Sequence, residues 1–276
     1  MNFESDVMDL NFEGSVGYLT FKDFKKYNFI NHAYLTRLGG VSKNEFKSLN
    51  LSFSCGDDQT SVMKNYDILC SALNLNKDKI VRTKQVHKNK ITVVSENDIL
   101  DKNFKERVFK GSDGLITNIP GVILTTLHAD CMALFMVDPV LKVVGLAHAG
   151  WRGTVSKIAK SLLETFINNY GSTPENIVCA LGPGIGKCCF EVDDSTFKEF
   201  KKIGISDFEK CYISKENKYY IDSIEVNKKI LIESGVKSEN IFKSNVCTSC
   251  NHELLFSHRA SGGKRGNNLA FITIKE

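Results

Sequence analysis

What this chain lacks narrows it first. No apolar run approaches the ~18–20 residues that a membrane helix needs. The opening MNFESDVMDLNFEG has neither the basic start nor the apolar centre of an export signal. The expectation is therefore a cytoplasmic protein with no membrane partner. Proline is scarce, with only four residues, and no Ser/Gly/Pro-rich tract interrupts the periodic segments, so no linker is visible. No segment repeats at the ~20–50-residue period of repeat architectures. A chain of 276 residues that is 42% hydrophobic can bury one good core, and a single domain over residues 1–276 is expected.

Arginine is also rare. Lysine supplies nearly all of the positive charge behind a net +4, and it is scattered rather than interleaved with aromatics along one stripe. That pattern describes a solvated surface and argues against a nucleic-acid partner. Of the six arginines, Arg37, Arg82, Arg152, Arg259 and Arg265 lie in or beside the motif stretches described below. Arginine used there, in a chain that otherwise prefers lysine, suggests forked contacts to phosphate or carboxylate. Cysteine, by contrast, is plentiful at nine. Without an export signal these read as free thiols or metal ligands rather than a disulfide framework.

The densest chemistry lies between Ser112 and Thr154. Val122 to Leu127 reads as a buried strand ending in His128-Ala129-Asp130-Cys131, and Val143 to Ala147 as a second ending in His148-Ala149-Gly150-Trp151-Arg152-Gly153. Upstream, Ile80 to Val86 reads as a third strand with His87 at its exit. Cysteine and histidine at neighbouring strand ends make either a thiolate–imidazolium nucleophile pair or ligands of a borderline metal such as zinc. Each residue alone is better read as an ordinary satisfied histidine or a small core cysteine. Together, His87, Cys131 and His148 would supply three N/S ligands and leave one position open, as catalytic zinc sites do. Asp130 is expected to orient one of the ligands.

Elsewhere, Arg37 precedes Gly39-Gly40, a turn that would bring backbone close to a ligand. A long helix is predicted over Ser61 to Leu73, capped by Asp58 or Thr60, and another from Val155 to Tyr170, capped by Thr154 and ended by Gly171. The start of the latter would aim free amides at an anion beside His148 and Arg152. Capped helices are also expected after Asp193 or Asp194 and after Asp222. Asn50 to Ser54 and Leu254 to Phe256 read as short strands, and Glu96 to Lys110 as a polar surface loop or poorly fixed helix. Adjacent Cys188 and Cys189 are poor partners for each other. Cys247-x2-Cys250 with His252 resembles half of a zinc knuckle, for which no second knuckle is apparent. Strands and helices alternate irregularly, which predicts an α/β fold of layered mixed sheets flanked by helices rather than a doubly wound sheet.

Six segments, TRLGGVS from Thr36, QVH from Gln85, SDGLITN from Ser112, ADC from Ala129, HAGWRGT from His148 and GPGIGKCCFEV from Gly182, resemble in order the motifs of the YfiH, or laccase-domain, family. The resemblance spans almost the whole chain. It implies an α/β fold with layered sheets, metal ligands at His87, Cys131 and His148, and either multicopper polyphenol oxidase or purine nucleoside phosphorylase activity. The second is favoured, because a multicopper cluster draws on more histidines than the six present. The expected reaction is phosphorolysis of adenosine, inosine or methylthioadenosine, with adenosine deamination as a second activity. Zinc, or else copper, is the expected cofactor. Arg37, Gln85, Arg152, Gly153 and Thr154 are the expected substrate-binding residues. The rival chemistry is a hydrolase that uses Cys131 as its nucleophile. A monomer or homodimer is expected. The family's tail motif is altered here, leaving Arg259 and Arg265 as alternatives for the pocket.

Overall fold

The computed structural model describes residues 3–100, 103–104, 106–216 and 218–276, and within them sixteen strands, numbered in chain order, and five α-helices. Seven strands form one sheet in the order β1 (Met8–Glu13), β2 (Val16–Phe21), β3 (Ile30–Leu35), β16 (Asn268–Ile274), β8 (Ile123–His128), β4 (Ile80–Lys84) and β6 (Val108–Lys110). Six form a second, ordered β15 (Ile241–Lys243), β11 (Val178–Leu181), β9 (Met132–Asp138), β10 (Val143–Ala149), β7 (Gly114–Thr117) and β5 (Ile91–Val93). A small third sheet joins β12 (Glu191–Val192), β14 (Lys218–Ile221) and β13 (Tyr212–Lys215). Both large sheets are mixed: β4 runs parallel to β8 and β6, β11 to β15, and β5 to β7, while the other pairs are antiparallel.

The layering follows from side-chain alternation. On β9, Ala133, Phe135 and Val137 point into a core shared with Phe21, Tyr34, Leu124 and Ile272 of the other sheet. Met132, Leu134 and Met136 point the opposite way, toward helices α3 (Ile158–Tyr170) and α5 (Ser223–Glu233). All seven β9 residues are buried, which is why this strand is an unbroken apolar run. The far face of the seven-stranded sheet, through Ala33, Leu35, Leu269 and Phe271, packs on Val62, Tyr66 and Leu69 of α1 (Gln59–Ala72). The order is thus helix, sheet, sheet, helices.

Caps behave as their chemistry dictates. Asp58 accepts from the Ser61 amide at the start of α1, Asp193 from Thr196 before α4 (Asp194–Lys201), and Asp222 from Glu225 before α5. The helix expected from Val155 is divided. A five-residue turn, α2 (Trp151–Val155), precedes α3, and Lys157 between them stands at φ 58°. Val155 and Ile158 keep their apolar spacing across this break, so periodicity alone does not reveal it. Leu254 to Phe256 are buried but form no strand, because the Leu254 and Leu255 amides turn back onto the Asn251 carbonyl. Asn50 to Ser54 likewise lies outside the strands, its chain turned by side-chain bonds such as Ser52 N to Asn50 Oδ1. The segment expected as a polar loop holds a short 310 turn (Glu96–Asp98) and ends in β6; residues 101, 102 and 105 of it lie outside the described residues. β1, whose residues alternate poorly, is an edge strand held by its antiparallel register with β2.

Candidate active site

Two of the connections that pass from one large sheet to the other carry the site. His87 lies on the link from β4 to β5, and Cys131 on the tight turn from β8 to β9. His148 stands near the end of β10, opposite Ala133. The donor atoms of these three side chains lie within 4.8 Å of one another. They share the wall of a cavity of about 890 Å³, within the range of small-molecule sites, ~300–1,000 Å³.

Asp113, fully buried just ahead of β7, organises this corner. Its carboxylate accepts the amides of Val86 (3.1 Å), His87 (2.9 Å) and Lys88 (3.0 Å), three successive donors closing around one anion. That grip holds His87 at φ 60°, a left-handed conformation uncommon for a side-chain-bearing residue. Asp113 Oδ1 also meets His148 Nδ1 at 3.1 Å, and the Asp113 carbonyl accepts the His148 amide. Committing Nδ1 in this way leaves Nε2 of His148 for the site. Burial opposes ionisation of Asp113, but the bonds from His148 and the Lys88 and Val86 amides keep its carboxyl below the ordinary range.

Electrostatics couple the pair. Burial alone would push the Cys131 thiol up, yet the charge and hydrogen bond of His148, with help from His87, bring it down to about 6. Burial would lower His148, but the Cys131 charge and the Asp113 bond raise it to about 9. Each group thus favours the charged form of the other, lowering the thiol and raising the imidazole. Neighbouring His128 is buried, bonded to Thr126 Oγ1 and the Cys131 carbonyl, and held neutral by burial and the charge of His148. Two imidazoles and an already acidic thiol suit one borderline metal ion, with the fourth position left to the cavity. Gly150 makes the approach possible, since a Cβ there would sit 3.0 Å from His87 Cδ2 and 3.1 Å from Cys131 Sγ.

Of the residues expected to bind substrate, only Gln85 lines the cavity, clamped to both backbone groups of Leu127. Arg37 is occupied elsewhere: Nε donates to the Lys47 carbonyl, a terminal nitrogen to that of His252, and the guanidinium lies 4.7 Å from the Phe256 ring. The adjoining Gly39 does adopt φ +97°, but the close approach it permits is to the Ser15 backbone, not to a ligand. Arg152 is exposed over the Trp151 ring, Gly153 is buried beside it, and buried Thr154 accepts from Asn227. None of these four lines the cavity; Arg37 is held by its carbonyl contacts, and the other three lie in α2, which is separated from α3 by the left-handed Lys157.

The cationic lining is Arg265, Arg82 and Lys84. Arg265 donates to Asn267 Oδ1, and among the described residues its buried Nε meets no acceptor. Arg259 instead spans the Cys189 and Glu191 carbonyls. Asp130 does not orient a ligand. Its two oxygens accept from Thr248 Oγ1 and the Arg259 amide, tying the tail to the Cys131 turn. The acid that holds His87 and His148 is Asp113, signalled in the sequence by a lone carboxylate opening the apolar run Gly114 to Thr117.

Fold and site together define a mixed α/β enzyme with a two-histidine, one-cysteine centre on the wall of a small-molecule cavity. The chain belongs to the family described as multi-copper polyphenol oxidoreductase laccase, whose model matches residues 31–275. It is 35% identical over 245 residues, 88% of each chain, to purine nucleoside phosphorylase YlmD of Bacillus subtilis. It is 33% identical to adenosine deaminase RL5 of an unknown prokaryotic organism, covering 93% of this chain and 96% of that one. The crystal structure of YlmD from Geobacillus stearothermophilus superposes with a TM-score of 0.89 at 33% identity, over 97% of this chain and 99% of that one. Among the described residues no helix is long and apolar enough to cross a membrane.

Proposed function

We propose that this chain is a purine nucleoside phosphorylase that works with a zinc ion held by His87, Cys131 and His148. The observation that carries the reading is the convergence of these three donors on the wall of a cavity that also presents Arg265. Its close likeness to a phosphorylase over most of both chains supplies the substrate class.

Phosphorolysis joins a phosphate oxygen to the sugar C1′ and breaks the bond from C1′ to the base. The base leaves with the electron pair of that bond and the proton lost by the attacking phosphate. Positive charge builds on the sugar during this exchange, so an anion held against C1′ is worth most in the transition state. Arg265, on the cavity wall with a buried Nε that meets no acceptor among the described residues, is the group we assign to phosphate in place of Arg37 and Arg152; Arg82 is also on the wall but already serves the Phe104 carbonyl and the Phe53 and Phe104 rings. Bound zinc would supply Lewis acidity toward the departing base or a water. Gln85, fixed by its two backbone bonds, offers a rigid polar surface to the nucleoside. Asp113 keeps His87 and His148 in position throughout.

Adenosine deamination is a second activity of the same site, supported by the likeness to a named adenosine deaminase. Copper-based phenol oxidation is disfavoured. Among the described residues only one metal-capable group contains histidine, whereas a multicopper cluster needs many. The test is chromatography of adenosine incubated with zinc-loaded protein, with and without inorganic phosphate. Adenine and ribose 1-phosphate should form only with phosphate, and inosine in either case. Absence of all three products from protein with zinc at this site would refute the reading.

A further inference from the structure

A second group of metal-capable side chains lies away from this centre. Cys188 and Cys189 follow the loop after β11, and Cys247 and Cys250 lie in the tail after β15. Their four sulfurs lie within 4.8 Å of one another. Cys250 Sγ is 3.5 Å from Cys188 Sγ and 3.4 Å from Cys189 Sγ, so it has no single partner as in a disulfide pair. Four sulfurs at ~2.3 Å from a tetrahedral zinc stand roughly 3.8 Å apart, close to this spacing. The pair missing from the tail's half-knuckle is therefore the vicinal one, brought across by the fold. His252 is not part of the group: its Nδ1 lies 3.1 Å from the Ser249 carbonyl.

The surroundings are those of a ligand cluster. The Gly186 amide donates to Cys247 Sγ at 3.2 Å, and a Cβ on Gly186 would meet Cys247 Cβ at 3.1 Å and Cys188 Sγ at 3.3 Å. The two loops are bridged by backbone, Thr248 N to the Gly184 carbonyl. Cys188 and Cys250 are exposed. Cys189 is half-buried and Cys247 buried; the two exposed thiols are open to oxidation, and occupancy by a metal would remove that exposure.

We propose that Cys188, Cys189, Cys247 and Cys250 bind a structural zinc ion, distinct from the ion at the cavity. Four thiolates close the coordination sphere and leave no open position, which marks such a site as architectural. Both loops also grip residue 130: Ile185 N donates to the Asp130 carbonyl, and Thr248 Oγ1 to its carboxylate. The ion would hold together the two segments that support the turn bearing Cys131.

The test is metal content, which stands apart from any activity. Full-length protein is purified under reducing conditions, loaded with zinc chloride, desalted and analysed by elemental mass spectrometry. Wild type should hold two zinc equivalents per chain. The double variant Cys188→Ser/Cys250→Ser, which changes the two exposed ligands, should hold one, as should Cys131→Ala. Circular dichroism checks that each variant is folded. Retention of two equivalents by the double variant overturns the proposal. So does wild type with a single equivalent whose four tail and loop thiols all react with a thiol reagent, or with iron in place of zinc at this cluster.

Discussion

Asp113→Asn tests the site most directly. The carboxylate serves four donors, the amides of Val86, His87 and Lys88 and the His148 ring. An asparagine keeps one acceptor oxygen and turns an NH2 group toward the remaining donors. At least two of the four bonds are lost, and each hydrogen bond to a charged group contributes about 1.5–3 kcal/mol. A destabilisation of at least about 3 kcal/mol is therefore expected, concentrated on the segment that bends through His87. Because His148 also loses its orienting partner, zinc affinity should fall ~10–100-fold. Urea melts of metal-free protein read the first quantity, and zinc titration against a chromophoric chelator reads the second. An Asp113→Asn protein that binds zinc within about threefold of wild type, at unchanged metal-free stability, would refute the account of how the ligands are held.

Gly150→Ala should weaken zinc binding by crowding His87 and Cys131 while leaving the urea midpoint nearly unchanged, since the contacts at risk are with the two ligands; chelator competition checks this. Arg265→Ala should raise KM for phosphate at least tenfold with a smaller effect on nucleoside KM, measured by initial rates at varied phosphate; equal changes in both would remove Arg265 as the anion holder. In chelator-stripped protein, Cys131 should be alkylated by iodoacetamide with a pH midpoint at about 6 and be protected by added zinc, as followed by peptide mass spectrometry. His32 gives a stability prediction: buried against Phe24 and accepting the Phe21 amide, it is lowered by burial, then by Lys25, to about 3. The unfolded chain takes a proton near pH 6.5 that the folded one refuses. Stability should thus be full above that pH and fall through the window from about 6.5 to 3, by about 2 kcal/mol at pH 5. Urea melts of His32→Gln should lack this one-proton slope; an identical pH profile for variant and wild type would contradict it.

The central strands were legible because burial on both faces leaves an apolar run that ends abruptly where the site begins. β8 stops at His128, three residues before Cys131, and β10 runs through His148. The same two signals, apolar run and polar terminus, pointed to Cys131 and His148; His87 follows the more polar segment Ile80 to Val86, of which β4 keeps only Ile80–Lys84. Less could be read where a residue's partner is distant in the chain. Arg37 and Arg152 follow the pattern of anion-binding arginines, yet one is taken up by backbone carbonyls and the other lies over Trp151. Asp113 looks like a turn residue until three amides from the β4–β5 link are seen around it. The apolar triplet Leu254 to Phe256 reads as a strand, but all three are buried from a turned, strandless segment. Cys188 and Cys189 exclude only each other as partners, and nothing in their spacing points to the tail.

The positions of His87 and Cys131 on crossings between two sheets carry a mechanical consequence. Any slip of one sheet against the other would drag these two side chains along different paths, so the metal proposed between them would act as a rivet through the sandwich. The converse also holds. Trimming Phe135 or Leu124, deep between the sheets and far from solvent, should be felt at the metal as altered affinity before it is felt as unfolding.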